Sequence, residues 1–222
     1  MARRVLHDQF FKKAKDEGYL ARSAYKLQEI AQRNRLIPRG GRILDLGCAP
    51  GAWLQIASEI AGPSGIIVGI DLKEIRDRIG PNVRAIVADA YEIAPQTLLD
   101  MAGGLFDAVL SDMAPDTTGA GDTDHHRSVR LCRRVLEILP PLLRRGGGLA
   151  MKVFEGGTYP ALLKDTEGLF ESARGFKPKA SRDISREIYI VATGYRGARP
   201  TRPTATITPH TTSPRTPADA PS

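Results

Sequence analysis

With 222 residues, 41% of them hydrophobic and 26% charged, the chain is long enough for one α/β domain with a sizeable core, and its composition is that of a globular protein. No apolar run reaches the ~18 residues of a membrane span. Met1-Ala2-Arg3-Arg4 leads into no apolar signal region, and two cysteines, Cys48 and Cys132, are too few for a disulfide framework or zinc cluster, so a reduced, cytoplasmic protein is expected.

The net charge of +7 is unevenly spread. Residues 1–40 carry ten Lys/Arg against four Asp/Glu, and residues 172–199 carry seven against two. Basic ends flanking a less basic middle point to a polyanionic partner, nucleic acid first of all.

In chain order, 5–17 and 22–34 read as two helices, the second with an apolar stripe through Tyr25, Leu27 and Ile30 and with Ser23 available to cap it. Gly40-Gly41 breaks the pattern. A strand over 42–47 then runs into Gly47-Cys-Ala-Pro-Gly51, and a helix follows over 52–61 with Pro50 suited to its first turn. Strands over 65–71, 83–89 and 106–112 come next, with a helix near 95–102 between the last two; each strand ends in an acid, Asp71, Asp89 or Asp112. A loop over 113–123 holds proline, threonines and glycines. It precedes a long amphipathic helix over 125–144, bent at Pro140 and ended by Gly146-Gly147-Gly148; the pair His125-His126 shows no metal-ligand spacing and reads as part of a mobile loop. Then follow a strand over 149–154, a helix near 158–170, and strands near 174–179 and 186–193. Alternation of this kind predicts a mainly parallel, doubly wound sheet, and the short link from Lys179 to Ser185 predicts an antiparallel strand at one edge. The region 198–222 is rich in threonine and proline and is expected to be a disordered tail.

The corner at Gly47–Gly51 is a strand, a glycine turn and a helix start, the ligand-facing corner of a doubly wound sheet. It lacks the G-x-G-x-x-G of a dinucleotide site. Asp71 stands where a carboxylate would hold ribose hydroxyls, so a nucleoside without a diphosphate fits, with S-adenosyl-L-methionine as the candidate. Asp89 suits an adenine amino group, and Asp112 the ligand's charged end or the reacting centre. Lys152, in the apolar run Leu149–Phe154, is the kind of charged residue that is seldom buried without a partner.

Taken together, Asp45–Trp53, Ser111-Asp-Met-Ala-Pro115, Met151-Lys-Val-Phe-Glu155, Ser185–Gly194, the N-terminal helix Arg22–Ile30 and the basic segment Lys179–Glu187 resemble the FtsJ/RrmJ (RlmE) family from about Tyr19 to Gly194. Cys48 and Ala52 stand where many members have alanine and glycine; both are small. The resemblance implies a Rossmann-like class I methyltransferase that uses S-adenosyl-L-methionine to methylate the 2′-oxygen of a uridine ribose in the A-loop of large-subunit ribosomal RNA. It places a catalytic Lys-Asp-Lys-Glu set on Lys26, Asp112, Lys152 and Glu187, and cofactor contacts on Gly51, Trp53, Asp71, Asp89 and Asp112. Lys152 would accept the hydroxyl proton or orient the hydroxyl. Lys12, Lys13, Arg22, Arg33, Arg35, Lys177, Lys179, Arg182 and Arg186 are the candidate phosphate contacts. No metal is expected, and the protein reads as a monomer divided into a basic helical extension over 1–40, a methyltransferase domain over 41–197 and the tail. The alternatives are an enzyme of the same chemistry acting on tRNA or another RNA, and a non-catalytic ribosome assembly factor on the same scaffold.

Overall fold

The computed structural model describes the backbone of residues 2–181 and 185–197, with side chains from residue 9 onward. Seven strands, β1 (Arg42–Leu46), β2 (Ile66–Asp71), β3 (Val83–Val87), β4 (Phe106–Ser111), β5 (Leu143–Phe154), β6 (Phe170–Phe176) and β7 (Glu187–Tyr195), form one sheet in the order β3-β2-β1-β4-β5-β7-β6. The helices are α1 (Ala2–Asp16), α2 (Ala24–Asn34), α3 (Ala52–Ala61), α4 (Pro95–Ala102), α5 (Gly121–Leu142) and α6 (Tyr159–Leu169).

The central strands are nearly continuous apolar runs because both of their faces are covered. Alternate residues feed two cores. Leu44, Leu46, Val68, Val109, Leu149 and Met151 pack with Leu98 of α4, Val129, Val135 and Leu139 of α5 and Leu162 of α6. Ile43, Ile67, Leu110 and Ala150 pack on the other face with Leu27 and Ile30 of α2 and Trp53, Leu54 and Ile56 of α3. Strands β3, β2, β1, β4 and β5 are parallel. The chain reversal expected near the C-terminal edge is present, but the reversed strand is β7, which lies inside the edge between β5 and β6 and is antiparallel to both. Its first residue, Glu187, therefore pairs with the last residue of β5, Phe154, at the carboxyl ends of the parallel strands.

Four local expectations change. Ser23 has helical backbone angles and makes no side-chain cap. Pro50 lies before the N-cap Gly51 and so outside α3. Helix α5 stops at Leu142, directly after Pro140-Pro141, and Gly146–Gly148 belong to an irregularity within β5 rather than to the helix end. There Gly147 is crowded, since a Cβ on it would lie 2.6 Å from Leu143 Cδ1 and 2.9 Å from the Arg144 carbonyl. Finally, β6 begins four residues earlier than expected, at fully buried Phe170, which pairs with and packs against Tyr195.

Candidate active site

The turn after β1 is shaped by backbone that only glycine adopts readily. Gly47 has φ 78°, and a Cβ on it would sit 2.6 Å from Met113 Cγ and 2.9 Å from Met113 Cα, so the loop after β4 lies directly on this turn. Gly51 has φ 116° and is roofed by Ile79 and Leu20, whose nearest atoms would be 2.5 and 3.0 Å from an added Cβ. Beside the turn opens a cavity of about 590 Å³ whose lining includes Gly47, Ala49, Asp71, Asp89, Asp112 and Met113. Asp71 is fixed by the backbone N–H groups of Ala49 at 2.9 Å and Lys73 at 2.8 Å. Asp89 accepts from Tyr91 N–H at 2.8 Å. Leu72 and Tyr91, both exposed, add apolar surface beside these two carboxylates.

The four residues of the expected catalytic set come together as two ion pairs. Lys26 Nζ on α2 lies 2.8 Å from Glu187 Oε2 on β7. Lys152 Nζ on β5 lies 2.9 Å from Asp112 Oδ1 and donates to the Asp112 carbonyl at 2.6 Å. Both lysines are buried. Tyr189 links the pairs: its hydroxyl donates to Asp112 Oδ1 at 2.8 Å, and Lys26 Nζ is 5.9 Å from its ring centroid. Burial pushes the Glu187 carboxyl up, but the Lys26 ammonium outweighs it and leaves the group below its usual value. The Lys26–Glu187 pair thus stabilises the fold above the unfolded carboxyl range of ~4.3 and is lost as pH falls through the lower folded value. The Tyr189 hydroxyl is held well above its ordinary range by burial and by Asp112 and Glu187.

Trp53 and Gly51 lie beside the cavity rather than in its lining. The Trp53 indole is buried, donates to the Ser23 carbonyl at 3.0 Å and packs on Tyr189 with ring centroids 5.7 Å apart. It therefore fastens α2, and with it Lys26, to the sheet.

Asp45 on β1 is fully buried, and neither carboxylate oxygen has a hydrogen-bond partner. Burial first, then the charges of Asp112 and Asp71, raise its carboxyl well above the ordinary value. A raised folded value means that the native state holds more protons than the unfolded chain, so this group costs stability as pH climbs from the ~4 of a free carboxyl toward the folded value. Replacing Asp45 by asparagine is expected to raise the melting temperature at about pH 8, with the gain shrinking toward about pH 4, as followed by differential scanning calorimetry. A loss of equal size at both pH values would overturn the upward shift of the Asp45 carboxyl.

Of the candidate RNA contacts, Lys12, Lys13, Arg33, Arg35, Lys177, Lys179 and Arg186 are exposed and Arg22 is half-buried. Helices α1 and α2 and the segment after β6 meet where Ala14, Tyr25 and Ala180 pack together, and Lys179 N–H donates to Glu29 at 2.7 Å. Tyr25 is buried there and donates to Glu17 at 2.8 Å, so it packs the helix. Arg33 pairs with Glu29 at 3.2 Å, Lys13 with Glu17 at 3.7 Å, and Lys177 donates to the Ser185 carbonyl. Lys12 and Arg22 also have partners. Arg35, with φ 49°, closes α2, and Arg186 donates to the Glu155 carbonyl at 2.7 Å. Arg182 and the tail 198–222 lie outside the described residues.

Sequence reasoning missed Tyr189, Asp45 and the cavity-lining arginines Arg127 and Arg130. A signal existed for the first: Tyr189 stands two residues after Glu187 in a strand, hence on the same face. His125 is the clear correction. It is not in a loop but in α5, 1% exposed and hydrogen-bonded through both ring nitrogens. Among the described residues no cluster of His, Cys, Asp and Glu suits a metal ion, and no helix is long and apolar enough to cross a membrane.

A family model described as FtsJ-like methyltransferase matches residues 19–195. A curated relative from Desulforapulum autotrophicum, named ribosomal RNA large subunit methyltransferase E, is 45% identical over 187 residues, covering 84% of this chain and 92% of its own. One of the same name from Halorubrum lacusprofundi is 44% identical over 193 residues, covering 86% and 72% respectively. A crystal structure of a ribosomal RNA methyltransferase from Plasmodium falciparum superposes with a TM-score of 0.71 at 27% identity, covering 81% of this chain and all of that one.

Proposed function

The chain belongs to the FtsJ-like methyltransferase family, and on that footing we propose that it methylates the 2′-hydroxyl of a uridine in the A-loop of large-subunit ribosomal RNA, using S-adenosyl-L-methionine, as a cytoplasmic monomer. The observation that carries this reading is the meeting of two buried ion pairs, Lys26–Glu187 and Lys152–Asp112, drawn from four distant segments beside a carboxylate-lined cavity. The cavity suits a cationic nucleoside donor. Three carboxylates, Asp71, Asp89 and Asp112, line it and can face the donor's hydroxyls, amino group and positive charge. The bound donor supplies an electrophilic methyl group on a positively charged sulfur.

The rest of the chemistry falls to the chain. Asp71 would hold the ribose hydroxyls, Asp89 the adenine amino group and Asp112 the charged end, while Gly51 and Trp53 shape the turn beneath them. Lys152 has two of its three ammonium donors committed to Asp112, which leaves one to direct at the attacking 2′-oxygen. It orients that oxygen and stabilises the negative charge that develops on it as its proton leaves; the O–C bond would form while the bond between the donor's sulfur and the methyl carbon breaks. The hydroxyl proton leaves to solvent. Glu187 holds Lys26 in place, and the two border the ribose on the opposite side. Lys12, Lys13, Arg22, Arg33, Arg35, Lys177, Lys179, Arg182 and Arg186 would take backbone phosphates, which position RNA without reading its sequence. In this reading residues 1–40 form a basic helical extension packed on the methyltransferase domain of 41–197.

Mapping ribose methylation in total RNA from a strain lacking this protein tests the reading. Loss of one 2′-O-methyl in the A-loop of the large ribosomal RNA is the expected result. Loss only in tRNA would move the substrate, and an unchanged map would overturn the function.

A further inference from the structure

Strand β5 outlasts its parallel neighbour. The β4–β5 ladder ends at the pair Ser111–Met151, where β4 gives way to the loop that starts with Asp112. Beyond it, Lys152–Phe154 still pair with β7 on one side, but on the other their backbone polar groups have lost a strand. Buried backbone groups must find partners, and here α5 supplies them. Cys132 Sγ–H donates to the Lys152 carbonyl at 3.0 Å. Ser128 Oγ accepts from Phe154 N–H at 3.1 Å while its own hydroxyl donates to the His125 carbonyl at 2.7 Å. His125 Nδ1 lies 2.7 Å from the Phe154 carbonyl. Residues 125, 128 and 132 are three and seven positions apart, one face of the helix, and all three are buried.

The partners fix the tautomer of His125. Thr158 N–H, 3.1 Å from Nε2, can only donate, and the Phe154 carbonyl can only accept. The ring proton is therefore on Nδ1, and Nε2 accepts, with the Thr158 hydroxyl also 2.7 Å away. The turn between β5 and α6 is pressed onto this ring: a Cβ on Gly156 would lie 2.4 Å from His125 Cγ. Just beyond Phe154, Glu155 N–H donates to the Arg186 carbonyl at 2.7 Å, and Phe154 itself pairs with Glu187. One helix face thus grips the stretch of backbone that carries Lys152 and adjoins Glu187.

We propose that His125, Ser128 and Cys132 are positioning residues for methyl transfer: they stand in for the missing strand and hold the end of β5 so that Lys152 and Glu187 keep their places. None of them touches the donor or the RNA. The inference rests on the function proposed above, and its test separates the two. His125→Ala and Ser128→Ala are expected to lower kcat on large ribosomal subunits by about 10-fold or more, with donor Kd by calorimetry changed less than about twofold. His125→Asn, whose amide N–H can still donate to the Phe154 carbonyl, should recover most of the loss. Hydrogen exchange of the peptide spanning 152–158 should quicken in Ser128→Ala. That variant removes one hydroxyl and serves alone if His125→Ala does not fold. Unchanged kcat in folded variants, an equal loss in donor affinity, no recovery in His125→Asn, or unaltered exchange over 152–158 would each overturn the proposal. Inactive wild-type protein would fault the proposed function instead, while the exchange measurement would still judge the helix face.

Discussion

Lys152→Ala is expected to lower the rate of methyl transfer about 10²–10⁴-fold, the range lost when a positioned proton-handling or charge-stabilising side chain is removed. Donor affinity should stay within about twofold, because the interaction removed is one made with the reacting oxygen in the transition state. The geometry explains the asymmetry. Asp71 and Asp89 are held by backbone N–H groups of Ala49, Lys73 and Tyr91 and do not depend on Lys152. Asp112 keeps one of its two side-chain partners, the Tyr189 hydroxyl at 2.8 Å. Truncation also leaves the fold largely intact, since Lys152 keeps its place opposite Tyr189 in the ladder and its carbonyl keeps the Cys132 partner. Calorimetry with the donor and single-turnover transfer to large ribosomal subunits decide the matter. Near wild-type turnover in a folded variant would sink the assignment of Lys152.

Asp112→Asn should fail differently, losing both donor affinity and rate. The carboxylate is shared: it lines the cavity, pairs with Lys152 Nζ at 2.9 Å and accepts from Tyr189 at 2.8 Å. Each hydrogen bond to a charged group is worth about 1.5–3 kcal/mol. A single such contact to the donor therefore corresponds to roughly a 10- to 100-fold weaker Kd. The rate should fall by at least a further factor of about ten, because the amide offers no charge to hold the Lys152 ammonium. Intact donor affinity in this variant would remove Asp112 from the donor site, while retained rate would remove it from the support of Lys152. Comparing the two variants thus separates binding from positioning, which neither does alone.

Much of the architecture was legible because period and punctuation agree in the central strands. The apolar runs at 43–46 and 66–70 are followed by Gly47 and Asp71, and that at 106–110 by Ser111-Asp112, and all three became buried parallel strands. The boundaries misread were those where tertiary context overrides local signal. Gly146–Gly148 looks like a helix stop, yet Pro140-Pro141 had already ended α5, and the glycines serve the irregular pairing of β5 with β4. The position of β7 between β5 and β6 could not be read from a short connection, which predicts reversal but not insertion. At the site, Lys152 was visible as a departure from an apolar run and Asp112 as an acid at a strand end, while Lys26 and Glu187 stood out only through the family resemblance. The groups that hold them were less visible: Tyr189 and Cys132 look like ordinary core residues, and His125 gained meaning only when the end of β4 left the carbonyl of Phe154 in need of a donor.

The placement of β7 also has a consequence for synthesis. It is the last strand of the sheet to leave the ribosome, yet it fills an interior slot, and it brings Glu187 and Tyr189 with it. Until residues 187–195 emerge, β5 and β6 have no strand between them, Lys26 lacks its carboxylate and Asp112 lacks the tyrosine hydroxyl. A nascent chain can build the turn after β1 early, from β1, β2 and β4, but it acquires the partners of Lys26 and Asp112 only once β7 emerges. The unpaired edges exposed in the meantime are the kind that chaperones cover. An enzyme truncated before Glu187 would accordingly be an unfinished sheet, not a slower catalyst.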